Sequence, residues 1–301
     1  MSAQHETITP TTIWFDSEGV RCAGQLYRPP NPAGAPPLVV MCHGVGGTAA
    51  RLRRQASSLA EAGFAALAID YRGWGDSDGT PRHVLDLAGQ RKDLRSAIAS
   101  ARRLEGVDTD RIALWGVSLG GAHVVHLASE GAAICGVIAQ VPFNGFPRRI
   151  EGRGPRQTVR LLAAITRDRL RRRRGKGPHY IPMVGRPGEL ALVTSADAAQ
   201  HVESLGAEEG APSVIAPGGV LDMMRYRPSD LAHRLKVPLL VCVAAYDTET
   251  PPELAAQIAG RAPHGRLRSY PATHMDFYGD PDLWSRVVGD QVAFLRECFE
   301  G

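Results

Sequence analysis

Ser118, Asp247 and His274 follow one another along the chain, each just beyond a run of apolar residues, and together supply the parts of an activated nucleophile. A serine hydroxyl is a poor nucleophile at neutral pH. A histidine must take its proton, and a carboxylate must hold that histidine in the correct tautomer. Ser118 lies in Gly116-Val117-Ser118-Leu119-Gly120, after Ile112 to Trp115 and before a helix-compatible stretch. Small residues two positions either side are needed where backbone turns sharply from strand to helix and lifts Oγ clear. Asp247 stands just past the apolar run Leu239 to Val243, and His274 stands in Tyr270-Pro-Ala-Thr-His-Met-Asp276. Asp247 also suits a turn or a helix N-cap before Pro251-Pro252, His274 also suits a surface loop, and Glu249 and Asp276 are substitute acids. His123 and His126 fall on the helix after Ser118, where packing or solvation is the expected role.

The tetrahedral intermediate of acyl transfer carries a negative oxygen that preformed donors must meet. His43-Gly44-Val45-Gly46-Gly47, directly after a buried run, offers main-chain N–H groups on backbone free to turn close to a substrate. The N–H of Val45 and of Leu119 are the expected oxyanion donors, with His43 orienting its loop rather than acting as a base.

These residues need a scaffold, and the rest of the chain describes one. Short apolar runs alternate with helical patterns, the signature of a mainly parallel sheet wrapped by helices. Thr12–Asp16 and Val20–Tyr27 read as an opening hairpin. Strands follow at Leu38–Cys42, Ala65–Ile69, the run before Ser118, Ile134–Ala139, Pro238–Ala244 and Leu267–Tyr270. Helices are expected near Ala49–Ala62, Val84–Leu104, Pro252–Gly260 and Pro281–Cys298. Between Val141 and Lys236 the alternation stops, and a stretch rich in Arg, Pro and Gly intervenes. Residues 1–141 and 237–301 are therefore expected to form the core, and 142–236 an inserted cap. Within the insertion Val159, Leu162, Ala163, Thr166 and Leu170 recur at helical spacing, predicting an amphipathic helix over Gln157–Arg174 with its arginines outward.

His43-Gly-Val-Gly-Gly, Asp70-Tyr-Arg-Gly-Trp-Gly-Asp-Ser, Trp115-Gly-Val-Ser-Leu-Gly-Gly, Asp247 and His274 together resemble the α/β-hydrolase superfamily over residues 20–140 and 236–299. The resemblance implies a sheet of about eight strands and a Ser118–His274–Asp247 triad acting through an acyl-enzyme. Among its branches the chain looks most similar to the dienelactone hydrolase and Xaa-Pro dipeptidyl-peptidase-like esterases. It departs from both: the former carry a cysteine where this chain has Ser118, and the latter use a tyrosine hydroxyl in place of Val45. Serine at position 118 also sets it apart from the superfamily's epoxide hydrolases and haloalkane dehalogenases, which need aspartate there.

The expected activity is hydrolysis of a carboxylic ester of small to medium size, with acyl transfer to an alcohol or amine, or peptide and amide hydrolysis, as alternatives. A silent binding module on the same fold predicts a broken triad, which this sequence lacks. The route calls for no metal and no organic cofactor. The partner that the resemblance implies is a small-molecule ester or acyl substrate, and composition predicts a soluble globular protein, with 44% apolar and 22% charged residues and no run of apolar residues long enough for a membrane span. Met1–Thr12 is polar and has no apolar secretory core, so a cytoplasmic location is expected. Five widely spaced cysteines point to neither a disulfide framework nor a metal cluster. Arg167, Arg169 and Arg171–Arg174 form a basic run, read as a solvated helix face. It has no interleaved aromatics to stack on bases, and with a net charge of +4 no nucleic-acid partner is expected. Integral membrane association is not expected either, and a homodimer is compatible with the sequence.

Overall fold

The core strands are apolar at every position because both faces of the sheet are covered, and successive residues serve opposite faces. In Pro37–Cys42, Leu38, Val40 and Cys42 enter one core cluster, while Val39 and Met41 enter the other. The computed structural model describes residues 8–205 and 213–300. Residues 1–7 of the polar N-terminal segment and 206–212 of the insertion lie outside them.

The chain opens with β1 (Thr11–Ser17), β2 (Val20–Tyr27) and β3 (Pro37–Cys42), followed by α1 (Arg53–Glu61), β4 (Ala65–Ile69), α2 (Leu87–Ala101), β5 (Asp108–Val117), α3 (Leu119–Ser129) and β6 (Gly136–Gln140). The expected insertion supplies α4 (Pro155–Arg173), β7 (Ile181–Pro182), α5 (Ala196–Leu205), β8 (Val214–Ile215) and α6 (Val220–Met223). β9 (Leu239–Ala244), α7 (Pro252–Arg261), β10 (Gly265–Tyr270), α8 (Asp276–Gly279) and α9 (Pro281–Glu300) complete it.

Eight strands form one sheet in the order β1-β2-β4-β3-β5-β6-β9-β10, and β7 pairs with β8 apart from it. β2 runs antiparallel to both of its neighbours, β1 and β4; all the other neighbours in the large sheet run parallel. This is the α/β-hydrolase sheet expected from the sequence. Residues of α1 and α9 join the cluster on one face, and those of α2, α3 and α7 the cluster on the other.

From β3 the chain winds outward to β4, then returns to β5 on the other side of β3. The order reverses between β3 and β5, where open parallel sheets leave a crevice at their carboxyl edge. Cys42 of β3 pairs with Gly116 of β5, so the loops beginning at His43 and Ser118 emerge side by side at that reversal. Asp247 and His274 leave the same edge, beyond β9 and β10, whose ends align at Ala244 and Tyr270.

One expectation is corrected in the insertion. α4 forms as predicted but faces the other way: Leu161, Ala164, Ile165 and Asp168 are buried, while Val159, Leu162 and Leu170 are 66%, 43% and 43% exposed. Apolar residues occur on both sides of this helix, so periodicity alone could not choose between the stripes. Tertiary hydrogen bonds choose, because the buried Asp168 carboxylate accepts from the N–H groups of His179 (3.0 Å) and Gly218 (2.9 Å) and pairs with Arg172 (3.2 Å). No helix among the described residues is long and apolar enough to cross a membrane.

Candidate active site

Ser118 stands alone between the last residue of β5 and the first of α3, with φ 55° and ψ −119°. A positive φ is costly for a residue with a Cβ and persists only where the surroundings hold it. Here the Ser118 N–H donates to the Gln140 carbonyl (2.9 Å), and its own carbonyl accepts from Ala122 (3.2 Å) and Phe143 (3.0 Å). The flanking glycines are demanded by close backbone packing. A Cβ on Gly116 would lie 2.3 Å from the Gly120 carbonyl oxygen, and one on Gly120 would lie 2.5 Å from that of Cys42. Leu119 opens α3, so its N–H has no carbonyl partner within the helix.

The loop after β3 lies directly on the serine. A Cβ on Gly44 would stand 2.9 Å from Ser118 Cβ and 3.5 Å from its Oγ, so only glycine permits this approach. The loop turns through a Gly47 N–H to Gly44 carbonyl bond of 3.3 Å and carries Val45 past the serine. Burial pushes the His43 imidazole down to about 4, so it is neutral near pH 7. Its Nδ1 is 2.8 Å from the Gly44 carbonyl, which requires the proton on Nδ1. His43 therefore braces the loop. Behind it, the buried Asp70 carboxylate accepts from the N–H groups of Ala49 (2.7 Å) and Asp76 (3.0 Å), tying the turn after β4 to the entry of α1.

Asp247 and His274 meet at 2.7 Å, His274 Nδ1 to Asp247 Oδ2, and both are buried. The two oxygens of Asp247 have separate duties. Oδ1 accepts from the N–H groups of Glu249 and Thr250, both at 2.8 Å, which is the turn role foreseen for an aspartate before two prolines. Oδ2 takes the histidine and the Thr250 hydroxyl, also at 2.8 Å. Burial acts to raise the Asp247 carboxyl, but the His274 charge and the hydrogen bonds from His274 and Thr250 outweigh it and hold it below its ordinary value. Burial acts to lower His274, yet Asp247, Glu249 and Asp197 outweigh it and raise the imidazole above 6.5.

Ser118, Val45 and His274 line one cavity of about 580 Å³. Among the described residues no hydrogen bond joins Ser118 Oγ to His274; such contacts commonly tighten only when substrate is bound. Among the apolar and amphipathic residues between β6 and β9, Phe143, Phe146, Met183 and Met223 line this cavity, whereas His179, Tyr180, Ile181 and Met224 do not. Met183 covers the loop after β3 so closely that a Cβ on Gly46 would lie 2.6 Å from its Cε.

The two substitute acids hold other posts. Glu249 accepts from Ser195 Oγ (2.8 Å), and Asp276 from the Thr273 N–H (2.7 Å). Glu151, a further acid on the cavity wall, is engaged by the Ala196 N–H and the Thr248 hydroxyl. His123 is buried between Tyr226 and Gln90, each 3.0 Å away, in the packing role expected of it. Sequence reasoning missed Thr250. Its only signal was a hydroxyl residue three positions after an aspartate, a common turn pattern.

Among known proteins, the sequence model of the family described as Hydrolase_4, serine aminopeptidase S33, matches residues 35–282. The quorum-quenching protein AidA of Acinetobacter baumannii (strain MDR-ZJ06) is 34% identical over 290 residues, covering 95% of this chain and 94% of that one. The polyketide transferase ATR5 of Stachybotrys chlorohalonatus (strain IBT 40285) is 30% identical over 174 residues, covering 57% of this chain and 56% of that one. The crystal structure of the α/β-hydrolase GrgF from Penicillium sp. sh18 shares the fold at a TM-score of 0.81 and 22% identity, over 98% of this chain and 100% of that one. The narrower resemblance to the dienelactone hydrolase and Xaa-Pro dipeptidyl-peptidase-like group finds no support in these comparisons.

Proposed function

The chain belongs to the serine aminopeptidase S33 family of α/β-hydrolases, and from that premise we propose that this serine hydrolase cleaves a carboxylic ester through Ser118, His274 and Asp247. The observation that carries the reading is the 2.7 Å bond from His274 Nδ1 to Asp247 Oδ2, the carboxylate oxygen that the turn's N–H groups do not use, with His274 on the wall of the cavity that also holds Ser118. In this reading His274 Nε2 takes the Ser118 proton as Oγ adds to the ester carbonyl carbon. The N–H groups of Val45 and Leu119 receive the oxyanion. The intermediate collapses by breaking the bond to the alcohol oxygen, which leaves with the proton from His274. Water, deprotonated by the same imidazole, then releases the acid and regenerates the serine.

We read residues 142–236 as the cap that selects the acyl group. Phe143, Phe146, Met183 and Met223 give the cavity wall an apolar character suited to an alkyl chain. Peptide hydrolysis is the weaker reading, since the acids on the wall, Glu151 and Glu249, are already engaged by protein donors rather than open to a peptide amine. Acyl transfer draws support from the likeness to a protein named as a polyketide transferase, and it needs only that an alcohol replace water at the second step.

A series of p-nitrophenyl esters from acetate to decanoate tests the proposal. We expect kcat/KM to rise with chain length while the alkyl group fills the cavity, by about three- to fourfold per methylene at ~0.8 kcal/mol each, and then to fall. Hydrolysis no faster than that of a Ser118→Ala variant on every ester would refute it. Added acceptor alcohols, with products separated, distinguish ester formation from acid release.

The pH profile carries a second expectation. Only neutral His274 can accept the serine proton, so activity rises as pH climbs through its pKa. The nearby acids Asp247, Glu249 and Asp197 raise that pKa, which places the acid limb of kcat/KM above 6.5. Glu249→Gln keeps a partner for Ser195 and removes one of these charges, so the limb should move to lower pH. A limb that stays in place or moves upward contradicts the assignment of His274 as the base.

A further inference from the structure

The outward face of α4 combines two features that a merely solvated helix does not need. Val159, Leu162, Ala163, Thr166 and Leu170 form an exposed apolar stripe about 16 Å long at 1.5 Å per residue. They floor a shallow groove whose walls include Arg167, Arg171, Arg174 and Lys176. From Pro155 to Arg174 the chain carries eight arginines and a single acid, Asp168, which is buried. Arg169 pairs with Asp222 and Arg172 with Asp168. Among the described residues Arg156, Arg160, Arg167, Arg173, Arg174 and Lys176 have no acidic partner.

From this face we infer that the protein docks peripherally on an anionic lipid surface, with α4 lying in the plane of the headgroups. The stripe is the part that enters the acyl boundary, and the flanking guanidinium groups reach up to phosphates on either side. Charge complementarity decides the occupant. A second copy seated on the same face would bring two helices of this charge together with no exposed acid on α4 to meet them. A nucleic acid would satisfy the arginines but leave the stripe without an apolar counterpart, and no aromatic residue lies along it to stack on bases. An anionic bilayer satisfies both. The inference stands independently of the ester chemistry, since none of the stripe residues lines the cavity.

The test is co-sedimentation of the full chain with vesicles of phosphatidylglycerol and phosphatidylcholine in equal parts, against vesicles of phosphatidylcholine alone. Binding to the mixed vesicles should exceed that to the neutral ones by at least tenfold in 0.05 M salt and fall steeply at 0.5 M, because such attraction is screened. Arg167→Glu/Arg174→Glu should lower the partition coefficient by about thirtyfold, at roughly fivefold per cation lost. Leu162→Ser/Leu170→Ser, which removes the apolar side chains without changing the charge, should reduce it about tenfold or more. Both pairs are on the surface, so hydrolysis of a short soluble ester should be unchanged and reports that the variants are folded. Equal binding to the two vesicle types overturns the proposal. So does mixed-vesicle binding untouched by the leucine replacements, which would mean charge adhesion without insertion. A dimer in light scattering that Leu162→Ser/Leu170→Ser converts to monomer, with no vesicle binding by the native chain, would give the face to a second copy instead.

Discussion

Ser118→Ala is expected to lower kcat by roughly a hundred-thousand-fold while leaving the fold intact, and to abolish labelling by a fluorophosphonate. The substitution removes one oxygen. It leaves Cβ, and the backbone bonds to Gln140, Ala122 and Phe143 that hold the positive φ remain available. The loss therefore reports the nucleophile itself. Peptide mass spectrometry after labelling should find the adduct on Ser118 in the native chain. His274→Ala should lose the labelling too, because the serine is then no longer activated. An adduct elsewhere, or a Ser118→Ala variant that keeps most of its turnover, removes Ser118 from the mechanism.

Asp247→Asn should lower kcat by about ten-thousand-fold with little change in stability, and the reason lies in the division of labour between the two carboxylate oxygens. An asparagine can keep its amide oxygen at the Oδ1 position, where it still accepts from the N–H groups of Glu249 and Thr250 and preserves the turn. Its NH2 then occupies the Oδ2 position opposite His274 Nδ1. Two donors cannot face each other, so the imidazole takes the tautomer with its proton on Nε2, the nitrogen that must be free to accept from the serine. The lost charge also lowers the His274 pKa, so any residual activity should have its acid limb at lower pH than the native enzyme. Steady-state kinetics across pH, with thermal unfolding as the control for folding, checks this. Loss of activity accompanied by collapse of the melting temperature would mean that the turn, rather than the tautomer, had been broken.

The local rules of the chain made the sheet and the candidate site residues legible. Buried parallel strands must be apolar on both faces, so the runs at 38–42, 65–69 and 239–244 could be read without ambiguity, and β4 forms over the residues expected. The glycines around Ser118 carried a steric message, since any Cβ at Gly116 or Gly120 would strike backbone. Asp247 and His274 could be found because their positions past strand ends fit a single-edge site, although their contact spans 27 residues and no local pattern states it.

Other features depend on groups that are distant in sequence. Thr250 is an ordinary turn residue until His274 arrives against Asp247 and its hydroxyl reaches Oδ2. Glu249, a plausible triad acid by position, is turned toward Ser195 of the insertion. α4 shows the limit of periodicity most directly: the sequence by itself determined that residues 155–173 form a helix with apolar residues on two sides, because propensity and spacing are local. Which side is buried was decided only in the tertiary structure, where Asp168 satisfies the amides of His179 and Gly218 inside the protein and so turns Val159, Leu162 and Leu170 toward the outside.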